Sequence, residues 1–306
     1  MSQQTILITG AGSGFGKVIA LELARAGHIV YASMRDLGGH SEERVTELRA
    51  VADEEKIALR PVELDVRSEE SARVAVDLIL SREGRIDVVM NNAAMMMHGL
   101  TEAFRPEQIA EIIDLNAISW VRVNRAALPA MRRAGRGLLL YIGSGINRLP
   151  DPFTGPYAAS KAAGDVLAEV MGLEVARYGI ETVIVQPGAY TSGTNHFKNA
   201  VSPIDAEVVS QYDRLAGLAG ELAERLDRTN LPDRRHDVGE VAEAVRDIVA
   251  MTPGTRPRRV DIDPQGRNVC RINDVTAELQ RDYFRRLGVE DLLQPGVEGA
   301  GSSSIR

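Results

Sequence analysis

Tyr157 and Lys161 stand four residues apart in Tyr157-Ala158-Ala159-Ser160-Lys161, an alanine-rich run that begins just after Pro150, Pro152, Gly155 and Pro156. On a helix that spacing puts both side chains on one face, a turn apart. An ammonium beside a phenol favours the phenolate and lowers a pKa that is ordinarily about 10. The pair becomes an acid/base group usable near neutral pH. The same spacing arises by chance on many surface helices, so its meaning depends on what the rest of the chain brings to it.

The elements that must position the pair follow a regular alternation. Thr5 to Thr9 is a short apolar run rich in β-branched residues and reads as a buried strand. Gly10-Ala11-Gly12-Ser13-Gly14-Phe15-Gly16 follows, then helical periodicity from Lys17 to Ala26, closed by Gly27. Glycines let a backbone approach a pyrophosphate, and the helix N-terminus offers free N–H groups and a positive dipole end. The second strand, Ile29 to Met34, ends before Arg35 and Asp36. A neutral strand end followed by Arg accepts a ribose 2′-phosphate, which points to NADP. Asp36, if turned inward, would favour NAD instead.

Further strands are read within Ile57 to Val66, ending Leu64-Asp65-Val66, and at Ile86 to Met90, ending Asn91-Asn92-Ala93-Ala94. Gly137 to Ile142 leads to Gly143-Ser144-Gly145, and Thr182 to Val185 leads to Gln186-Pro187-Gly188. Helices fall at Ser41 to Ala52, from the Ser68 cap to about Arg82, and over a long stretch from Pro106 to Met131 containing Asn116 and Trp120. The Tyr157 helix runs to about Tyr178. This alternation predicts an α/β fold, a doubly wound parallel sheet of about seven strands with helices on both faces. Ligands bind outside the carboxyl ends of such strands. Gly10, Asp65, Asn91, Ser144 and Pro187 all fall there.

Composition narrows the class. The chain has 306 residues, 44% hydrophobic, and a net charge of −7, which argues against nucleic acid as the main partner. Cys270 is the only cysteine, so neither an internal disulfide nor a cysteine-based zinc site is possible. The five histidines are scattered, and no metal site is expected. No apolar run reaches about 18 residues, so no membrane span is expected. Met-Ser-Gln-Gln leads straight into a strand, and a cytoplasmic protein is the expectation.

In order along the chain, these residues resemble the short-chain dehydrogenase/reductase family over roughly residues 4 to 265. Thr9 to Gly16 matches its T-G-x-x-x-G-x-G turn, and Asn91-Asn92-Ala93-Ala94 is similar to N-N-A-G. Ser144 lies thirteen residues before Tyr157, and Tyr157 and Lys161 match Y-x-x-x-K. Asn116 falls where the family carries a fourth catalytic residue. The resemblance implies hydride transfer between NADP(H), or NAD, and a ketone/secondary-alcohol pair. Tyr157 would protonate the carbonyl oxygen and Ser144 would hydrogen-bond it. Lys161 would hold the nicotinamide ribose and lower the Tyr157 pKa. Asn116 would hold a water linking Lys161 to solvent. The cofactor would lie against Gly10, Ser13, Gly14, Phe15, Gly16, Arg35, Asp65, Val66, Asn92, Ala93, Tyr157, Lys161, Pro187, Gly188 and Thr191. Tyr31 to Asp36 is similar to the NADP-preferring, hydroxysteroid-dehydrogenase-like and retinol-dehydrogenase-like members. Ala94 in place of Gly, and Gly143 where a second Ser is common, are departures that imply only packing adjustments. The rival readings are an NAD-dependent alcohol dehydrogenase and a non-catalytic nucleotide-sensing protein on the same fold.

After Thr191 the alternation stops. Residues 192–236 are polar, with a helical piece from Ile204 to Asp227, and correspond by resemblance to a two-helix substrate lid. Met95, Met96, Leu149, Phe153 and Tyr190 are candidates to line the pocket, with His98 and His196 in reach. No basic cluster is evident there, so an apolar ketone or alcohol is expected. Asp237 to Thr252 reads as a helix, Arg259 to Ile262 as the seventh strand, and 273–293 as a helical extension. A single catalytic domain over 1–293 and a disordered tail over 294–306 are expected. A homodimer or homotetramer follows from the resemblance.

Overall fold

The computed structural model describes residues 2–215 and 217–295. In chain order the strands are β1 (Thr5–Ile8), β2 (Ile29–Met34), β3 (Leu59–Glu63), β4 (Val88–Asn91), β5 (Gly137–Ile142), β6 (Ile180–Pro187) and β7 (Arg259–Ile262). The helices are α1 (Gly14–Arg25), α2 (Glu42–Glu55), α3 (Glu69–Glu83), α4 (Pro106–Ile113), α5 (Ser119–Ala134) and α6 (Gly155–Val175). After β6 come α7 (Ala206–Ser210), α8 (Leu222–Asp227), α9 (Val238–Ala250) and α10 (Cys270–Leu287). The strands form one parallel sheet in the order β3-β2-β1-β4-β5-β6-β7. This is the doubly wound Rossmann-type arrangement that the alternation predicts.

Period-two alternation along the strands makes two cores. Ile6 and Ile8 of β1, in register with Val30 and Ala32 of β2, face α1, α2 and α9. Leu7, opposite Tyr31, faces the other way, toward α3, α5 and α6. A strand buried on both faces has little room for polar residues, hence the unbroken apolar runs.

The strand order reverses between β1 and β4, and polar side chains stitch that seam. The Thr9 hydroxyl accepts from the backbone N–H groups of Asn92 (2.9 Å) and Ala93 (3.0 Å). The Asn92 amide donates to the carbonyls of Thr9 (2.8 Å) and Gly10 (3.1 Å). The glycine turn and the end of β4 are therefore one rigid unit.

The helices add detail to the expected pattern. The stretch Pro106 to Met131 is helical throughout, as expected, with a π-helical turn at Asp114–Ile118 between α4 and α5. Such a turn inserts a residue and often marks a functional position; here it carries Asn116. Within the helical piece from Ile204 to Asp227 lie two short helices, α7 and α8, in keeping with the two expected in this segment, with glycines 217 and 220 between them. The C-terminal helix starts at Cys270 rather than 273. The expected tail lies outside the described residues except for Gln294 and Pro295. Among the described residues, no helix is long and apolar enough to cross a membrane.

Candidate active site

Ser144 follows β5 immediately, and Tyr157 and Lys161 stand on the first two turns of α6. All three line one cavity of about 490 Å³. The Ser144 hydroxyl accepts from the Ile146 N–H (3.3 Å), which fixes its direction. The Lys161 ammonium donates to the Ile142 carbonyl at the end of β5 (2.9 Å) and lies 5.9 Å from the Tyr157 ring centroid.

Burial dominates the electrostatics here. It pushes the Tyr157 phenol up, with the Ser144 hydroxyl pulling the other way, and it lowers Lys161 to about 8. The expected lowering of Tyr157 by Lys161 is not realised in this geometry. The ammonium is engaged with a carbonyl, and desolvation outweighs its attraction for a phenolate.

Asn116 does not line the cavity, and its side chain is a strut. Its carbonyl oxygen accepts from Met95 N–H (2.9 Å), and its amide donates to Met95 O (2.9 Å) and the Ser160 hydroxyl (2.9 Å). Both amide protons are spent, so the side chain holds the loop after β4 against α6. Gly164 permits that approach, since a Cβ there would stand 2.8 Å from the Trp120 ring and 3.0 Å from the Asn116 backbone oxygen.

At the nucleotide end, Gly10 has φ +63°, and a Cβ on it would lie 2.9 Å from Ala93 Cα. Ser13 precedes α1 without a side-chain cap, so the first helical N–H groups are available to an anion. Gly10, Ser13, Gly14, Phe15, Arg35, Asp65, Val66, Asn92, Ala93, Pro187 and Gly188 all line the cavity. Gly16 and Thr191 do not; Gly16 packs against Asn92 and Gly10, and the Thr191 hydroxyl donates to Asp227 (2.7 Å). Asp36 is turned away: its carboxylate accepts from the His40 N–H (2.8 Å), closing the loop after β2. Arg35, His40, Ser41 and Arg44 face the cavity instead.

At the other end, Met95, Met96 and Tyr190 line the cavity, whereas Leu149 and Phe153 do not. Leu149 is exposed, and the Phe153 carbonyl accepts from Gly99 N–H. His196 reaches the cavity from the 192–236 segment, edge-on to Tyr157 at 5.4 Å. Its Nε2 is buried without a partner among the described residues. Burial, then the Lys161 charge, lowers its pKa to about 4. His98 does not line the cavity.

Sequence reasoning missed several lining residues. Arg44 and His40 flank the second-strand loop, and a basic residue on the helix after Arg35 was the available signal. Asp151 and Arg267 form an ion pair in the cavity wall, a single paired arginine rather than a basic cluster. They are 116 residues apart, and no local pattern announces them.

A family model described as short chain dehydrogenase matches residues 4–203, and the chain belongs to that family. Among curated proteins, it is 36% identical over 199 residues to 3-ketodihydrosphingosine reductase of Bacteroides thetaiotaomicron, covering 65% of this chain and 68% of that one. It is 32% identical over 191 residues to human 17-beta-hydroxysteroid dehydrogenase type 1, covering 61% of this chain and 57% of that protein. The aligned part is thus little more than half of the human protein's length. A short-chain dehydrogenase from Streptomyces avermitilis superposes with TM-score 0.69 at 27% identity, covering 94% of this chain and 98% of that one. A gluconate 5-dehydrogenase from Burkholderia cenocepacia, solved with NADP and tartrate, gives TM-score 0.70 at 26% identity, covering 86% and 95%. The protein is an oxidoreductase of the kind that acts on CH–OH groups, with a fold that binds NAD(P).

Proposed function

We propose that the protein transfers a hydride between NADP(H) and a ketone or secondary alcohol that is largely apolar around the reacting carbon. One observation carries this reading: Ser144, Tyr157 and Lys161 line the same cavity as the glycine turn. The names of the two curated relatives, a keto-compound reductase and a hydroxysteroid dehydrogenase, point the same way.

The residues fit a dinucleotide. The uncapped α1 N-terminus and the tight Gly10 turn suit a pyrophosphate, and Arg35 and Arg44 suit a 2′-phosphate, with Asp36 engaged elsewhere. When bound, the nicotinamide supplies the hydride in reduction or accepts it in oxidation. Tyr157 delivers its phenolic proton to the carbonyl oxygen, and the Ser144 hydroxyl donates to that same oxygen and holds it. Lys161, with a pKa of about 8, is mostly charged at neutral pH and stabilises the phenolate left behind. Its bond to Ile142 O uses one of three donors, leaving two for ribose hydroxyls. Asn116 keeps the Met95 loop and α6 in register. The exposed Val166, Leu167 and Val170 of α6 support a homo-oligomer as part of this reading.

The test is binding of NADPH and NADH by fluorescence, then turnover of apolar ketones. NADPH is expected to bind tighter, and Arg35→Ala or Arg44→Ala to weaken NADPH alone, each by about tenfold. Tighter NADH binding would move the reading to an NAD-dependent dehydrogenase. Binding of either without turnover would favour the nucleotide-sensing reading.

A further inference from the structure

We infer that Asp151 and Arg267 form a specificity element that reads a neutral hydroxyl group on the substrate, remote from the reacting carbonyl. The inference rests on the carbonyl-reduction reading of the Tyr157 site. Asp151 lies on the loop joining Ser144 to Tyr157, and Arg267 on the loop after β7. Both line the catalytic cavity, and their side chains are only 19% and 13% exposed. In the sheet order, β7 lies on the opposite side of β5 from β2, the strand that presents Arg35. The pair therefore stands beyond the reacting centre, away from the nucleotide-anchoring arginines.

A largely buried ion pair is weak evidence for a stabilising role, because desolvation offsets much of its attraction. Nor are these loops short of other anchors. Arg148 donates to Asn273 (3.2 Å), and Asn273 donates to Gln186 (2.6 Å), tying the loop after β5 to α10 and β6. The Thr154 hydroxyl donates to the Asp151 carbonyl (2.6 Å). Asp263 accepts from the Gln265 and Asn268 N–H groups, which closes the loop bearing Arg267. Both side chains are held on backbone fixed without their mutual contact.

Their hydrogen-bonding capacity is mostly unspent. Arg267 has five N–H donors, and its bond to Asp151 is its one side-chain hydrogen bond among the described residues; Asp151 keeps Oδ2 free of any such bond. A donor and an acceptor side by side, with no net charge, select the ligand chemistry. An anion would meet the Asp151 carboxylate and a cation would meet the guanidinium. A hydroxyl donates to one and accepts from the other. A purely apolar group would cover the unspent Arg267 donors and the Asp151 Oδ2 without giving them partners, which penalises its binding.

The test compares a homologous series of straight-chain ketones, the same ketones with a terminal hydroxyl, and the corresponding keto acids. At the favoured chain length the hydroxy ketone is expected to exceed its parent in kcat/KM by at least about tenfold, carried in KM. Arg267→Met and Asp151→Asn should each bring that ratio near one, and Arg267→Lys should restore part of it. A ratio of one in the unaltered protein, a ratio unmoved in Arg267→Met, or a preference for keto acids would overturn the inference. Calorimetric binding of matched mono-alcohols and diols to the NADPH-loaded protein, which has no hydride acceptor for an alcohol, reads the same ratio without turnover. Absence of any ketone turnover thus counts against the carbonyl-reduction reading alone, while equal binding of alcohol and diol counts against the pair.

Discussion

The two ends of the cavity are built by different means. Around the pyrophosphate position, the walls are backbone, the Gly10 turn and the uncapped N-terminus of α1, braced by the Thr9 and Asn92 side chains between β1 and β4. At the other end, the walls are side chains on separate segments: Met95 and Met96 after β4, His196 and Phe197 in the 192–236 segment, and Asp151 with Arg267. Backbone walls tolerate almost no change of residue, because their shape depends on φ angles and on the absence of side chains. Side-chain walls can be recast by single substitutions without disturbing the sheet. The 192–236 segment is also loosely anchored. No residue of α7 is buried, and α8 buries only Leu222 and Leu226. Segments with so few buried contacts open at low cost. The fold therefore fixes the pyrophosphate cradle and leaves the side-chain walls adjustable.

The largest expected effect lies where the two ends meet. Tyr157→Phe should lower kcat by about 10³-fold while leaving NADPH affinity nearly unchanged, because only the proton donor is lost. Loss of cofactor binding in that variant would mean that Tyr157 belongs to the nucleotide wall instead. Next comes pH. Lys161 has a folded pKa of about 8 against an unfolded value near 10.5. Between these values the unfolded chain holds a proton that the folded protein has released, so stability rises with pH across that window. The rise amounts to about 3 kcal/mol, and Lys161→Met should flatten it in urea titrations at pH 8 and 10. Tyr157 moves oppositely, its folded pKa lying above the unfolded one, but it acts only above pH of about 10.

Substitution at the two walls sharpens the contrast. Gly10→Ala places a Cβ 2.9 Å from Ala93 Cα at φ +63°. The left-handed conformation alone costs about 1–2 kcal/mol, and the clash adds to it. A lower unfolding midpoint together with weaker NADPH binding is expected. Val209→Ala in α7, at a side chain 41% exposed, should change stability by no more than about 0.5 kcal/mol. Equal effects at the two positions would contradict the division between rigid and adjustable walls.

The same division explains what the sequence made legible. The glycine turn, Asn91-Asn92, Ser144 and the Tyr157–Lys161 pair are each encoded within a few residues, since a strand end and the next helix start are neighbours in the chain. The sheet followed from alternation alone. The π-helical turn at Asp114–Ile118 left no local mark, because the apolar pattern from Pro106 to Met131 runs on through it. The Tyr157 pKa was misjudged because spacing brings a charge near but does not measure burial. Asp36 was ambiguous because its direction depends on a hydrogen bond to His40 N–H, which only the folded loop supplies. Asp151 and Arg267 meet through three-dimensional closure across the β7 edge, beyond the reach of any motif.

The smallest expected effect separates a residue that looks apolar from one that lines the pocket. Leu149 and Met96 read alike in the sequence, each an apolar side chain just beyond a strand end. Leu149 is 46% exposed and off the cavity, whereas Met96 is 3% exposed, lines it, and packs in the cluster that contains Tyr157. Met96→Ala should cost about 2–4 kcal/mol of stability and raise KM for the preferred ketone, since it leaves a void beside the reacting centre. Leu149→Ala should leave stability within about 0.5 kcal/mol and KM unchanged. A KM shift in Leu149→Ala would mean that the substrate extends past the present wall onto the loop surface. The pocket would then be an open groove whose specificity rests on exposed side chains, with the 192–236 segment at its edge.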